Sequence, residues 1–430
     1  MISNSQPMTK NRSADAGRPD ASAPLAETKV SVLPEVRRKR MLRLLSIAVF
    51  LVFFQGYMVA PLLPHLGVVF GVTIQTIALT VPAYFLAYGA VTLFYGPLSD
   101  RIGRLPVICL CLAAFAVLSG VTAAAQSASQ LIWIRLLTGL AAGGITPISV
   151  GLVGDLFPYE KRGQALGLIF GAVAGGMACG STAGTLLESV IGWRGLFLLV
   201  SVLALAVVIA TASFRKVVLQ TGGTSSPNAG GLFRTVLELL GSGRARRTYL
   251  YVLLFGLFQS GVYTWLGVLF SERYHLGDVG IGLALLGYGI PGWLFGSVIG
   301  RASDRLGRNW MIPAGIAFSG LAALALSYDI PVILAPVFVT ALSLGGDMTS
   351  PALGAIATDL SPKRGVAIGF FAFSLFTGFG LGSFVFGRLL EYGLEKTFFV
   401  SGLVALAGAF CAGFQFRNEG RPNDSKRIQS

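Results

Sequence analysis

Gly96-Pro-Leu-Ser-Asp100-Arg101-Ile-Gly103-Arg104 is a short charged stretch between two long apolar ones, and the chain contains it twice. It returns 204 positions later as Gly300-Arg-Ala-Ser-Asp304-Arg305-Leu-Gly307-Arg308. At the same offset Asp155-Leu-Phe-Pro158 matches Asp359-Leu-Ser-Pro362, and Pro147 matches Pro351. Lys161-Arg162-Gly163 matches Lys363-Arg364-Gly365 after a two-residue slip. One such recurrence arises easily by chance. Three in register point to two related halves with the same orientation, a parallel repeat.

The surroundings of these motifs set the fold class. Apolar runs lie near 44–66, 74–97, 105–126, 131–153, 164–188 and 194–214, then near 249–271, 280–300, 309–327, 331–356, 366–390 and 396–416. Each is about the 20 residues that cross a bilayer as a helix. No run alternates with period two, which argues against a membrane barrel. The expected fold is an all-α polytopic membrane protein, with twelve transmembrane helices in two six-helix bundles related by the parallel repeat. Of 430 residues, 54% are apolar and 12% charged. Soluble domains carry about 25% charged residues. This composition excludes a disordered chain, a nucleic-acid-binding domain and an ordinary cytosolic enzyme.

The net charge of +14 is a matter of placement. With the N-terminus inside, 28 of the 33 Lys and Arg fall on cytoplasmic segments. Only Arg194, Arg273, Arg388 and Lys396 fall outside, and Arg135 lies within a span. This positive-inside bias puts both termini in the cytoplasm. Residues 1–43 read as a disordered cytoplasmic tail, 44–214 as the first bundle and 215–248 as a central loop. Residues 249–416 form the second bundle and 417–430 a short tail. The N-terminus lacks the apolar core of a signal peptide. Cys109, Cys111, Cys179 and Cys411 form neither a metal spacing nor a disulfide framework.

Several residues carry candidate chemistry. Gly96 is expected to admit a neighbouring helix closely. Asp100 sits where it can face the positive N-terminus of the eleventh span, and Asp304 that of the fifth. Arg101, Arg104, Arg305 and Arg308 are within reach of Asp155 and Asp359 or of lipid phosphate. Together they suggest a latch between the bundles that breaks as they rock. Gly167, Gly171 and Gly175, like Gly176, Gly180 and Gly184, space small residues for close packing. Ionisable residues at membrane depth are rare and usually functional. Two stand out: Arg135, near the outer end of the fourth span, and Asp347, midway along the tenth. Leaving water penalises the charged form of a carboxylic acid, which makes Asp347 a candidate proton carrier. Gln55, Tyr57, Tyr84, Tyr88, Gln259, Tyr263, Trp265 and Tyr288 are candidates to line a cavity for amphipathic organic molecules. His65 and His275 fall at the outer surface.

The Gly96–Arg104 pattern and its weaker copy resemble the signature loops of the major facilitator superfamily, over about 44–416. Arg135-Leu-Leu-Thr-Gly139, Gly192-Trp193-Arg194-Gly-Leu-Phe197 and Tyr57-Met-Val-Ala-Pro61-Leu-Leu-Pro64 are similar to segments of its twelve-span drug:proton antiporters. Thr138 stands where that group usually has Gln, and Ser181 where its fifth-span motif has Pro. The resemblance implies alternating access, with gating by Gly96, Asp100, Arg101, Gly103, Arg104, Asp304, Arg305, Gly307, Arg308 and their partners Asp155, Arg162, Asp359 and Arg364. It implies proton coupling through Arg135. The reading that results is efflux of a small organic substrate in exchange for protons, by a monomer in a bacterial-type inner or plasma membrane, surrounded by lipid. Uptake of an organic anion held by Arg135 is the alternative. No enzymatic constellation, cofactor or nucleic-acid partner is expected, and no phosphate-binding loop for ATP occurs.

Overall fold

The computed structural model describes residues 34–157, 159–214, 229–361 and 364–419. Every regular element among them is a helix. The first half runs α1 (Glu35–Met58), α2 (Leu63–Phe70), α3 (Ile74–Ala78), α4 (Thr80–Ile102), α5 (Arg104–Ala123), α6 (Ala128–Ala142), α7 (Ile145–Leu156) and α8 (Tyr159–Ala212). A linking helix α9 (Ala229–Gly241) follows. The second half runs α10 (Gly243–Tyr274), α11 (Asp278–Ala284), α12 (Ile290–Leu306), α13 (Arg308–Ser327), α14 (Ala335–Asp359), α15 (Arg364–Leu389) and α16 (Leu394–Gln415).

Nine stretches among the described residues are long and apolar enough to cross a membrane. The longest, 52 residues from Lys161 to Ala212, bends at Gly192 and covers two expected spans. The α11–α12 pair and α14 occupy the remaining two positions. Glycine and proline explain where helices break. Gly103 (φ 106°) and Gly307 (φ 90°) cap the starts of α5 and α13, so the duplicated motif builds one turn twice. Gly192 (φ 70°) makes the bend in α8. A side chain would be strained at each position.

Helix ends are tied off in matching fashion. Arg194 Nε and Nη2 donate to the carbonyls of Ala123 and Ala125 at 3.2 Å each, closing the end of α5. Arg273 Nη1 donates to Leu326 and Tyr328 carbonyls, both at 2.8 Å, closing α13. Unsatisfied carbonyls at helix ends are costly near lipid, and a guanidinium supplies several donors at once.

Within the first half, α1 packs on α8 and α4 on α6. Gly176, Gly180 and Gly184 press against Phe50, Phe54 and Met58. Gly139 and Gly143 sit on the carbonyls of Tyr84 and Tyr88. Small residues thereby let backbones meet, as membrane packing requires. In the second half Gly378 and Gly382 meet the Leu253 and Leu257 carbonyls, which joins α15 to α10.

The two halves touch along a seam that widens toward the end carrying the termini. At the far end Gly267 abuts Pro61, Gly282 abuts Thr185 and Gly289 abuts Ala178. Between α4 and α15, Gly380 is tight against Leu86 and Gly89 against Thr377. Further along, Gly369 only reaches Leu93, at 3.9 Å, and Gly96 and Gly365 meet nothing within 4 Å. The expected close approach at Gly96 is therefore not seen: a side chain there would meet open space. Among the described residues, glycine contacts between the halves are tight at the far end and fall away toward the end of the termini.

Helices reach further than the sequence suggested at both polar segments. The expected tail over 1–43 is helical from Glu35 onward, where Pro34 precedes the first turn and Lys39 pairs with Glu35 at 2.8 Å. Residues 1–33 lie outside the described part. The expected loop over 215–248 contains α9 and the first turn of α10. Arg234 and Glu238, one turn apart at 2.9 Å, support α9. Past α16, Glu419 is clamped by Arg244 (Nε 2.8 Å, Nη2 2.7 Å) and by Arg247 Nη2 at 2.6 Å. Burial alone would raise the Glu419 carboxyl, but the bonds and charges of Arg244 and Arg247 lower it overall. A lowered carboxyl stabilises the folded form above the unfolded value of about 4.3 and loses that contribution as pH falls through the folded value.

The C-terminal clamp is thus expected to resist proteolysis at neutral pH and to open in acid; Glu419→Gln should open it at neutral pH, which limited proteolysis will read. Gly139→Val should cost about 1–3 kcal/mol through overpacking against Tyr84, while Gly167→Ala, which meets nothing within 4 Å, should leave the melting temperature near that of the parent.

Candidate functional site

The site is built around two ionisable side chains, one in each half. Arg135, on α6, is fully buried. Gly139, one turn on, draws α6 onto α4, so the guanidinium lies over the Tyr84 ring, 4.1 Å from its centroid. Nη1 donates to Gln55 Oε1 at 3.2 Å. Gln55 Nε2 donates to Ser119 Oγ at 2.7 Å, and Ser119 Oγ donates to the Phe115 carbonyl at 2.6 Å. Tyr84 Oη donates to the Val52 carbonyl at 3.2 Å. Nε and Nη2 of Arg135 have no partner, and no ion pair involves Arg135 among the described residues.

A buried charge without a counter-ion needs other compensation. A guanidinium in a membrane helix costs up to about 2.5–3.5 kcal/mol on insertion scales, the figure for the helix centre and an upper bound for Arg135. A desolvated cation–π contact returns about 2 kcal/mol. A hydrogen bond to a charged group returns about 1.5–3 kcal/mol. Tyr84 and Gln55 together therefore offset much of that cost.

Asp347, on α14, presses its carboxylate against Gly292 of α12, where any side chain would collide with it. Its Oδ2 is buried and unpartnered. One residue earlier, Gly346 leaves room for the Gln259 amide of α10. Gln259 Nε2 donates to Tyr288 Oη at 3.1 Å, while its Oε1 is without a partner. From there an aromatic cluster crosses the seam. The Tyr288 ring lies 4.4 Å from Tyr263 and 6.2 Å from Tyr57, centroid to centroid. Tyr263 Oη donates to the Tyr57 carbonyl at 2.9 Å. Arg135 and Asp347 do not meet. They stand on opposite sides of this cluster.

A second aromatic layer continues it. Tyr57 contacts Phe85, and Phe85 lies 6.1 Å from Phe376 and 5.4 Å from Phe379. Tyr88 is 4.1 Å from Phe376, and Phe53 is 6.1 Å from it. Phe53, Phe85, Phe376 and Phe379 were not among the residues expected from sequence. The available signal was the density of aromatics in Phe370-Phe-Ala-Phe-Ser-Leu-Phe376-Thr-Gly-Phe379. Trp265, by contrast, stays outside the cluster. It is buried against α15, with Nε1 donating to the Ser383 carbonyl at 3.3 Å.

The duplicated loops form duplicated ion pairs. Arg104 Nη1 meets Asp155 Oδ2 at 3.0 Å, and Arg308 Nη1 meets Asp359 Oδ2 at 2.6 Å. Both pairs lie inside one half and neither bridges the seam. Asp100 turns to Arg104 Nη2 at 3.6 Å, across the Gly103 turn at the start of α5, and not across to α15. Arg162 Nε donates to the Phe157 carbonyl at 3.0 Å. Arg101 and Arg305 are exposed. The side chains of Asp304 and Arg364 lie outside the described residues.

Comparison with known proteins follows from this geometry. The family model described as Major Facilitator Superfamily matches residues 45–295 and 270–429. The MFS-type transporter YwfA of Bacillus subtilis (strain 168) is 25% identical over 395 residues, covering 88% of this chain and 92% of its own length. A chloramphenicol resistance protein of Streptomyces lividans is 27% identical over 294 residues, covering 68% of this chain and 74% of its own. A bacterial homolog of the human lysosomal transporter Spinster, solved in an inward-facing, unoccupied conformation, superposes with a TM-score of 0.70 at 15% identity. That alignment covers 90% of this chain and 99% of that one.

Gln55→Leu should remove the one hydrogen bond to the Arg135 guanidinium and destabilise the protein by about 1.5–3 kcal/mol. Ser119→Ala, which leaves that bond in place, should cost less. Thermal melts of the purified variants rank the two.

Proposed function

The chain belongs to the Major Facilitator Superfamily, and from that premise we propose that this transporter exports small organic compounds in exchange for protons. The observation that carries the proposal is Asp347. Its carboxylate has one oxygen buried without a partner, and it stands one residue from the Gln259–Tyr288–Tyr57 chain that joins the two halves. The Gly292 backbone and Ser343 reach its carboxyl, one oxygen is left unpartnered, and the neutral acid fits there without a counter-ion. Ionised, it requires a cation or a reorganised surrounding. Proton gain and loss at Asp347 therefore change what the seam around it tolerates.

In the open state, substrate reaches the aromatic layers from the side of the termini, which the excess of Lys and Arg assigns to the cytoplasm. Rings of Phe53, Phe85, Tyr88, Phe376 and Phe379 offer apolar faces. Gln259 Oε1 and the free nitrogens of Arg135 offer polar contacts. This mixture suits amphipathic organic molecules. Rocking of the halves would then close this end and open the other. Protonation of Asp347 from the outer side would favour return. The Arg104–Asp155 and Arg308–Asp359 pairs stiffen the loop at the same place in each half. In this reading they preserve bundle shape as the seam changes.

The resistance function named for the Streptomyces lividans relative supports export. A second reading, uptake of an organic anion, draws on the unpartnered Nε and Nη2 of Arg135. Comparing the toxicity of a compound panel in cells with and without the gene identifies a substrate. Its accumulation is then followed with and without an uncoupler. Export predicts that collapse of the proton gradient raises accumulation to the level of cells lacking the gene, and that Asp347→Asn does the same while the protein still reaches the membrane. Efflux unchanged by the uncoupler would remove the proton from the mechanism. Uptake of an anion that depends on Arg135 would establish the second reading.

A further inference from the structure

At the far end of the seam three side chains from both halves converge. His65 of α2 has Nε2 3.3 Å from Glu188 Oε1 of α8 and Nδ1 3.8 Å from Asp278 Oδ2 of α11. One donor atom from each of the three lies within 4.8 Å of the others. Glu188 is only 6% exposed, whereas His65 and Asp278 are about a third exposed, at 35% and 32%. One turn into the helices, Gly282 of α11 is tight against Thr185 of α8, so this is a place of firm contact between the halves.

The cluster is short of positive charge. A neutral imidazole has one N–H and can donate to one carboxylate, leaving its other nitrogen facing an oxygen lone pair. Two carboxylates, one of them buried, repel each other across the same ring. The basic residues on the adjoining elements are engaged elsewhere: Arg194 with the Ala123 and Ala125 carbonyls, Arg273 with Leu326, Tyr328 and Glu395. Glu188 and Asp278 also lie within hydrogen-bond reach of each other, so a proton or a bound cation supplies the missing charge.

We propose that His65, Glu188 and Asp278 form a binding site for a divalent transition metal of the zinc class, and that the bound ion clamps the far end of the two halves shut. Imidazole and carboxylate are zinc donors, and tetrahedral zinc with bonds of about 2.0–2.2 Å sets its donors roughly 3.3–3.5 Å apart. The Nε2–Oε1 separation of 3.3 Å already matches that edge. Asp278 completes the set by a side-chain rotation at the exposed rim, and water supplies the fourth ligand. Exposure of His65 and Asp278 gives the ion its path. Because His65 and Glu188 belong to one half and Asp278 to the other, the full donor set exists only while this end is closed. The ion therefore selects the state open toward the termini and slows the return.

The test needs no transport substrate, so its outcome is independent of the export proposal. The purified full-length protein is titrated with zinc at about pH 7.5. The expected result is one zinc per chain and a raised melting temperature. His65→Gln and Asp278→Asn should each weaken binding about tenfold or more. Cobalt in place of zinc should give a d–d absorption band in the parent chain, a readout that does not depend on any variant folding. Absence of that band, or zinc affinity unchanged in both variants, overturns the proposal. So does a melting temperature that zinc leaves unchanged.

Discussion

A charge held away from water must be compensated where it stands, and this constraint organises the interior of the protein. Arg135 has no acid beside it. It is held by the face of Tyr84 and the amide of Gln55, whose own amide nitrogen is anchored through Ser119 to the α5 backbone. Three helices are thus fixed by one guanidinium, and the glycine at 139 is what brings its helix near enough. Asp347 is treated in the opposite way. Its surroundings provide a glycine to lie against and leave an oxygen without a donor. One half gives its charge a ring face and an amide, and the other leaves a carboxylate oxygen without a donor.

The same contrast separates what the sequence makes legible from what it conceals. The pairs Arg104–Asp155 and Arg308–Asp359 are readable because duplication repeats them at one offset, and few other charges compete for them. Asp347 and Arg135 stand out because the apolar runs around them contain almost nothing ionisable. Phe376 and Phe379 do not stand out: a phenylalanine facing lipid and one facing the seam have the same composition signal, and only the approach of α4 to α15 distinguishes them. Trp265 errs the other way, an amphipathic residue type with its ring used for packing. Gly96 fails for a conformational reason. Its motif is real, but close approach depends on which end of the seam is shut, and a sequence carries no state.

Helix starts at 35 and 229 were concealed for another reason. Polarity marks a segment as outside the membrane, but it does not mark it as irregular. Glu35 with Lys39 and Arg234 with Glu238 pair one turn apart, contacts that support helix in a polar segment.

The taper between α4 and α15 has a mechanical meaning. Contacts are tight at Leu86–Gly380 and Gly89–Thr377, slack at Leu93–Gly369 and lost at Gly96. Such a graded gap is that of a hinged pair of plates, not of plates drawn apart in parallel. Displacement in a hinge grows with distance from its axis. If the halves rock about the tight far end, the rings of Tyr88 and Phe376 travel less than the charged loops at the end of the termini. Those rings would then sit on the shorter arm of such a lever, where a small change in their packing becomes a larger change in the width at the mouth.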